Sequence, residues 1–333
     1  MNKITIYDVA GAANVSLATV SRALNNPDKV KAETRERVLK VIKELGYKPN
    51  AFAKGLASRK STSVAVMVSD LSRASVAEMV NGIADIARAY EYSIALYCFS
   101  SDGSESEIFQ DVVASQVDGI LYLNDEINEK QYLLLKNIQD NFRIPIVLAN
   151  TIYPKDLQLS AVSIDYEKAA YEVTKSLIGE GRKDIFMLST IRKYMVNDLK
   201  EKGYLTAMKE AGLEPKIFRT SGDIKINTSD FTTLLNRDKV DGVVAVRDSI
   251  AISFMNLAIK HGKKVPDDIS IYGFQNTKYT QLCRPKLSSV DIPIYEIGAL
   301  AMRILTEEMQ SENPSEKGLI KLPHSIIRRE TTK

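Results

Sequence analysis

Cysteine and histidine are scarce in this chain, with two of each in 333 residues. Cys98 and Cys283 cannot build a disulfide framework; they lie in or beside apolar or Pro-containing segments, where a thiol packs like a small hydrophobe. This usage fits a reducing compartment. His261 and His324 stand at a helix end and near the terminus, outside metal-ligand spacing, so neither a metal nor a cofactor is expected. No G-x-G-x-x-G follows a strand, and no phosphate loop, nucleophile elbow or paired-cysteine site occurs. An enzyme, either a DNA recombinase carrying a helix-turn-helix or a Rossmann-type catalyst, therefore has little support. Long apolar runs are missing too. None reaches the roughly 18 residues of a membrane span, and the opening MNKITIYDVAG has no signal-peptide core. A cytoplasmic protein without membrane contact is expected.

What is present is an uneven charge. The net is only +3, yet residues 1–60 hold twelve Lys and Arg against five Asp and Glu, a net of +7. The other 33 basic and 37 acidic residues give the remainder a net of −4. A basic head on a mildly acidic body points to a polyanion partner for the head alone.

The head begins ITIYDVAGAANVSLATVSRAL (4–24). Thr5 would cap a helix, with Asp8 as reciprocal acceptor and as favourable charge at the positive helix end. Ile6, Val9, Ala10 and Ala13 recur at helical spacing. Asn14 tolerates a left-handed backbone, Val15 plugs the angle between helices, and Ser16 caps the next one. In that second helix Val20 and Leu24 face inward, while Leu17, Ala18, Ser21 and Arg22 fall on or near the outer face. Small and polar side chains plus one Arg suit a helix entering a major groove about 12 Å wide. The bland alternative is a helical hairpin packed on some other core. A turn at 25–28 leads to a third helix over 32–45, stopped by Gly46; Lys31 is a poor N-cap, and Lys29 and Lys31 would point at phosphates. Residues 47–61, YKPNAFAKGLASRKS, contain barely two potential helical turns, marginal alone in water. They read either as a plain linker or as a hinge that folds on DNA and drives an apolar wedge between base steps.

From residue 62 strands alternate with helices. Strands are expected at 63–70, 93–100, 118–123, 145–150, 161–165, 184–190, 216–220, 241–246 and 269–274. Helices are expected at 75–90, 104–115, 129–140, 166–180, 198–211, 228–236 and 248–261. Two such series imply two doubly wound parallel sheets.

TIYDVAGAANVSLATVSRALN and GYKPNAFAKGLAS together resemble the headpiece of the lactose-repressor (LacI/GalR) family. The resemblance extends over the whole chain. It implies an all-α helix-turn-helix headpiece (1–48, motif 6–25), a hinge (49–60) and an α/β periplasmic-binding-protein-like body. The body would comprise 61–161 with 292–322, and 162–291 with 323–333. Leu17, Ala18 and Arg22 would approach bases. Thr5, Tyr7, Ser16, Thr19, Ser21, Asn25, Tyr47 and Asn50 would anchor phosphates or the register; Ala53 would lie in the minor groove, with Leu56 as its wedge. The implied activity is that of a homodimeric regulator, mainly a repressor, of carbon-catabolite or sugar-related genes on a pseudo-palindromic operator.

The same resemblance places an effector cleft at the strand ends, near Asp70, Lys200, Asp248 and Gln275. Here the chain departs from the family pattern. Gln275 stands where Asp is common, Lys200 replaces a frequent Arg, and LSRASVAEM after Asp70 lacks a covering aromatic residue. These departures weigh against a conventional small sugar. Residues 284–309 and the ending LPHSIIRRETTK resemble the subgroup concerned with carbon catabolite control. That implies a co-regulator such as serine-phosphorylated HPr, or a small phosphorylated metabolite. Tyr295 and Arg303 match the subgroup's docking helix, and Arg303 would pair with a phosphoserine. Glu307, where Lys is common, and Glu308 beside it would instead repel a phosphate and pair with Arg303, whose equal alternative is a surface salt bridge.

Overall fold

A computed structural model describes residues 4–47, 61–71, 73–99, 105–124, 127–151, 158–192, 194–311 and 317–333. The chain divides into two compact units, Met1–Thr62 and Ser63–Lys333.

The first unit holds α1 (Ile6–Ala12), α2 (Leu17–Asn25), a 3-10 turn (Pro27–Lys29) and α3 (Ala32–Leu45). The Asp8 carboxylate accepts from both the backbone N–H and the hydroxyl of Thr5, at 2.7 and 2.8 Å. These bonds hold its carboxyl below the usual range, the backbone donor most strongly. Asn14 takes the left-handed turn at φ +51°, and the Ser16 hydroxyl accepts the Thr19 N–H at 3.2 Å. Lys31 provides no side-chain cap for α3. At its other end Gly46 has φ +66°, and the Tyr47 N–H reaches back to the Ile42 carbonyl at 3.0 Å, closing the helix. Val9, Ala10, Ala13, Val20, Ala23 and Val38 form a buried core, against which Val15, Leu24 and Tyr47 pack.

In the second unit β1 (Ser63–Val68), α4 (Ala74–Ala89), β2 (Ser93–Cys98), α5 (Glu105–Ala114), β3 (Gly119–Leu123), α6 (Glu129–Phe142), β4 (Ile146–Ala149) and β5 (Ser160–Ile164) open the first sheet. Then follow α7 (Tyr166–Gly179), β6 (Ile185–Thr190), α8 (Met195–Glu210), β7 (Lys216–Thr220), α9 (Ile224–Arg237), β8 (Gly242–Ala245), α10 (Asp248–Lys260), β9 (Ser270–Phe274), α11 (Tyr279–Leu282) and β10 (Ser288–Asp291). The chain ends in α12 (Ile294–Gln310), β11 (Leu319–Leu322) and β12 (Ser325–Ile327). Strand order is β11-β5-β4-β3-β1-β2 in one sheet and β12-β10-β9-β8-β6-β7 in the other. Pairing is parallel throughout except for β12 against β10. Helices cover both faces, so inner strands such as β3, GILYL, are buried at every residue.

Because β5 is hydrogen-bonded between β4 and β11, the chain leaves the first sheet after Ile164 and not at 161. It returns after Asp291 and crosses once more between Leu322 and Ser325. On that return α12 seats against α4 so closely that a Cβ at Gly82 or Gly298 would collide with the main-chain oxygen of Tyr295 or Met79. Helix α8 starts at Met195 and α9 at Ile224, earlier than the apolar spacing suggests, and α11, β10 and β12 are too short for a periodic signal.

Candidate nucleic-acid interface and ligand cleft

Burial of Val20 and Ala23 turns the opposite side of α2 outward, and Leu17, Ala18 and Arg22 are exposed there together. Ser16 and Thr19 share a hydroxyl–hydroxyl bond of 2.9 Å at the start of the helix, and Ser21 is half-buried. Thr5 and Lys29 are exposed, as is Tyr7, with 70% of its surface accessible. Tyr47 packs partly into the head core. The side chain of Asn25 lies outside the described residues, as do Asn50, Ala53 and Leu56. What the head presents is a capped helix bearing two small-to-medium apolar groups and a guanidinium. That set can contact a thymine methyl and donate a fork of hydrogen bonds to a guanine edge.

In the body a narrow cleft, with room for about one water molecule, lies where strand ends of both sheets meet. Arg73 and Asn150 line it from the first sheet's side, and Tyr194, Lys200, Arg247 and Gln275 from the second. No carboxylate lines it among the described residues. Arg73 and Arg247 were not expected from the sequence. Each directly precedes a helix that follows a strand, the position from which doubly wound sheets reach ligands.

Of the four expected cleft residues, the structure brings together Lys200 and Gln275. Asp70 is exposed and outside the lining. Asp248 is 1% exposed and turned to its own network: Oδ2 accepts from the Thr277 N–H (2.7 Å) and hydroxyl (2.9 Å), and Oδ1 from Ser289 (2.6 Å). Burial pushes its carboxyl up to about 6, against those hydrogen bonds and the nearby Arg329 charge. Its work is to hold the turn after β9, where Gln275 adopts φ +100° and Asn276 φ +48°.

On α12, the Tyr295 hydroxyl donates to Asp85 at 2.9 Å, which raises its phenol pKa, and Arg303 pairs with Glu307 at 3.3 Å on the open surface. Glu308 does not join them. It turns inward, accepting from Ser160 and from Lys317 at 3.4 Å, because its place on the helix faces β5. Cys98 is exposed on the edge strand β2, so it does not pack as a core thiol. Among the described residues no helix is long and apolar enough to cross a membrane, and no His, Cys, Asp and Glu cluster could hold a metal.

Residues 5–50 match the family "bacterial regulatory proteins, lacI family", and residues 174–332 match the periplasmic binding protein-like domain. Catabolite control protein A of Priestia megaterium is 39% identical over 336 residues, and that of Staphylococcus xylosus 38% over 339, each alignment spanning 99% of both chains. The solved CcpA of Lactococcus lactis superposes with a TM-score of 0.70 at 31% identity, covering 81% of this chain and 99% of that one. The lac repressor dimer bound to operator and the anti-inducer ONPF gives 0.90 at 23% identity and 99% coverage of both, a likeness of fold. These relatives are regulators and not enzymes. With its helix-turn-helix match and full-length identity to them, the chain belongs to the lacI family of DNA-binding transcriptional regulators.

Proposed function

We propose that this regulator acts in the cytoplasm as a homodimeric repressor of carbon-catabolite or sugar-related genes. Each head reads half of a pseudo-palindromic operator through Leu17, Ala18 and Arg22, and paired hinges drive Leu56 into the minor groove at its centre. The observation that carries the reading is the exposed Leu17–Ala18–Arg22 face on α2, inside the stretch that matches the lacI family. The relatives' name, catabolite control protein A, supports the gene class. A second copy is favoured by a groove along α10 and α11 that is uncharged apart from Lys260 among the described residues. In it Leu282 keeps 71% and Tyr279 47% of their surfaces exposed. Titration of operator and random DNA across a salt series tests the proposal. Specific binding should fall steeply with salt, and Leu56→Ala should lose most of the operator preference. Undiminished preference in Leu56→Ala would remove the wedge.

For the co-regulator, Arg73 and Arg247, lining the cleft from the two sides of the body, favour a small phosphorylated metabolite, whose entry would require the cleft to widen beyond the space for about one water molecule it now has. Docking of serine-phosphorylated HPr on Tyr295 and Arg303 is the second reading, favoured by their exposure on one helix. Calorimetric titration with sugar phosphates, then with phospho-HPr, separates the two.

A further inference from the structure

Lys200 is a lysine with 2% of its surface exposed at the meeting of two sheets. Its Nζ donates to the Val246 carbonyl at 2.9 Å, and lies 4.7 Å from the ring centroid of Phe274 and 5.0 Å from that of Tyr166. Two aromatic faces and a carbonyl oxygen form a cage suited to a primary ammonium ion. Val246 and Phe274 stand at the ends of β8 and β9, in the second sheet. Tyr166 opens α7, where the chain has just left the first sheet, and its hydroxyl donates to Asn150 Oδ1 at 2.6 Å. Asn150 follows β4 in a left-handed conformation, φ +58°, with its N–H on the Val162 carbonyl at 2.8 Å. A continuous path of contacts thus runs from the second sheet through Lys200 and Tyr166 to the first.

We infer that Lys200 is a tethered cation, a ligand supplied by the chain to its own aromatic cage, which holds the two sheets of the body together across the cleft. Closure is then set from within, and a small molecule arriving between Arg73 and Arg247 adds to it and does not create it. This goes beyond the co-regulator reading and does not depend on it. The cage should accept a free ammonium ion once its own is removed. Truncation in Lys200→Ala takes away a three-carbon ammonium arm, for which n-propylammonium is the free equivalent and 1-propanol the uncharged one.

The experiment is deuterium exchange on the full-length protein, read at residues 146–151 of the first sheet, together with the thermal midpoint. In Lys200→Ala, uptake at 146–151 should rise several-fold and the midpoint should fall. n-Propylammonium chloride should reverse the uptake and raise the variant's midpoint by about 3 °C or more, while moving wild type by less than about 1 °C. 1-Propanol and sodium chloride should do neither. Equal rescue by 1-propanol would mean that the site reads only hydrocarbon volume, and no rescue by n-propylammonium would mean there is no cage; either overturns the inference. Should Lys200→Ala fail to fold, Lys200→Met decides, since it keeps an unbranched apolar stem of four heavy atoms and removes only the ammonium group. Wild-type uptake at 146–151 in that variant overturns the inference, and several-fold faster uptake supports it.

Discussion

Arg303 and Glu307 lie one turn apart on α12, joined by an Nε–Oε1 bond of 3.3 Å, with more than half of each side chain in solvent. An exposed pair of this kind adds little to stability. Its consequence is for binding: a phosphate approaching Arg303 meets a carboxylate that already holds the guanidinium and repels the newcomer. Glu307→Lys replaces that repulsion with attraction and should strengthen binding of serine-phosphorylated HPr about tenfold or more. Titration with phosphorylated and unphosphorylated HPr reads the effect. An affinity for the phosphorylated form that Glu307→Lys leaves unchanged contradicts the electrostatic account.

Arg22 is exposed on α2 beside Leu17 and Ala18. If its guanidinium reads a base edge, Arg22→Ala should cost about 1–3 kcal/mol on the preferred operator and much less on operators altered at the contacted position. A loss that is the same on every sequence, random DNA included, would mark Arg22 as a phosphate contact.

The head was legible in the sequence nearly residue by residue, because its folding signals are local: a cap at Ser16, a left-handed Asn14, a terminating Gly46 and apolar positions at helical spacing. The body's alternation was legible for the same reason, through long periodic segments. What lay beyond reach depends on direction in space. Glu307 and Glu308 are neighbours in sequence, yet one side chain faces solvent and the other β5. Asp248 opens its helix where a ligand contact is common, but Thr277 and Ser289, distant in sequence, take both carboxylate oxygens. Arg73 and Arg247 converge on the cleft only because two separate sheets bring their strand ends to one place.

Helices α7 and α8 touch at Gly203, where a Cβ would run into the carbonyl oxygen of Glu167. That oxygen belongs to main chain at the start of α7, beside the crossing from the first sheet, and cannot rotate away. Gly203→Ala should therefore force the helices apart and destabilise the body by about 2 kcal/mol, even though alanine favours helix. Chemical denaturation measures this directly, and a variant as stable as wild type would mean that α8 shifts freely against α7.

Asp248 makes stability depend on pH with a sign opposite to that of most acidic side chains. Its carboxyl is raised from an ordinary 3.8 to about 6 when folded, chiefly by burial. The folded state thus holds the proton more tightly than the unfolded chain does. The stabilising contribution is fully present below about pH 4 and is lost as pH rises through about 6. Going from 3.8 to about 6 corresponds to about 3 kcal/mol. Asp248→Asn keeps the shape, and its amide oxygen can accept from Thr277 while the Ser289 hydroxyl turns to the Val290 carbonyl, 3.3 Å away. Denaturation of both proteins from pH 4 to 8 cancels the titrations they share. The stability of wild type relative to Asp248→Asn should decline between pH 4 and about 6.5 and stay level above that. A difference that is flat across the range would mean that Asp248 is solvated well enough to ionise normally in the fold.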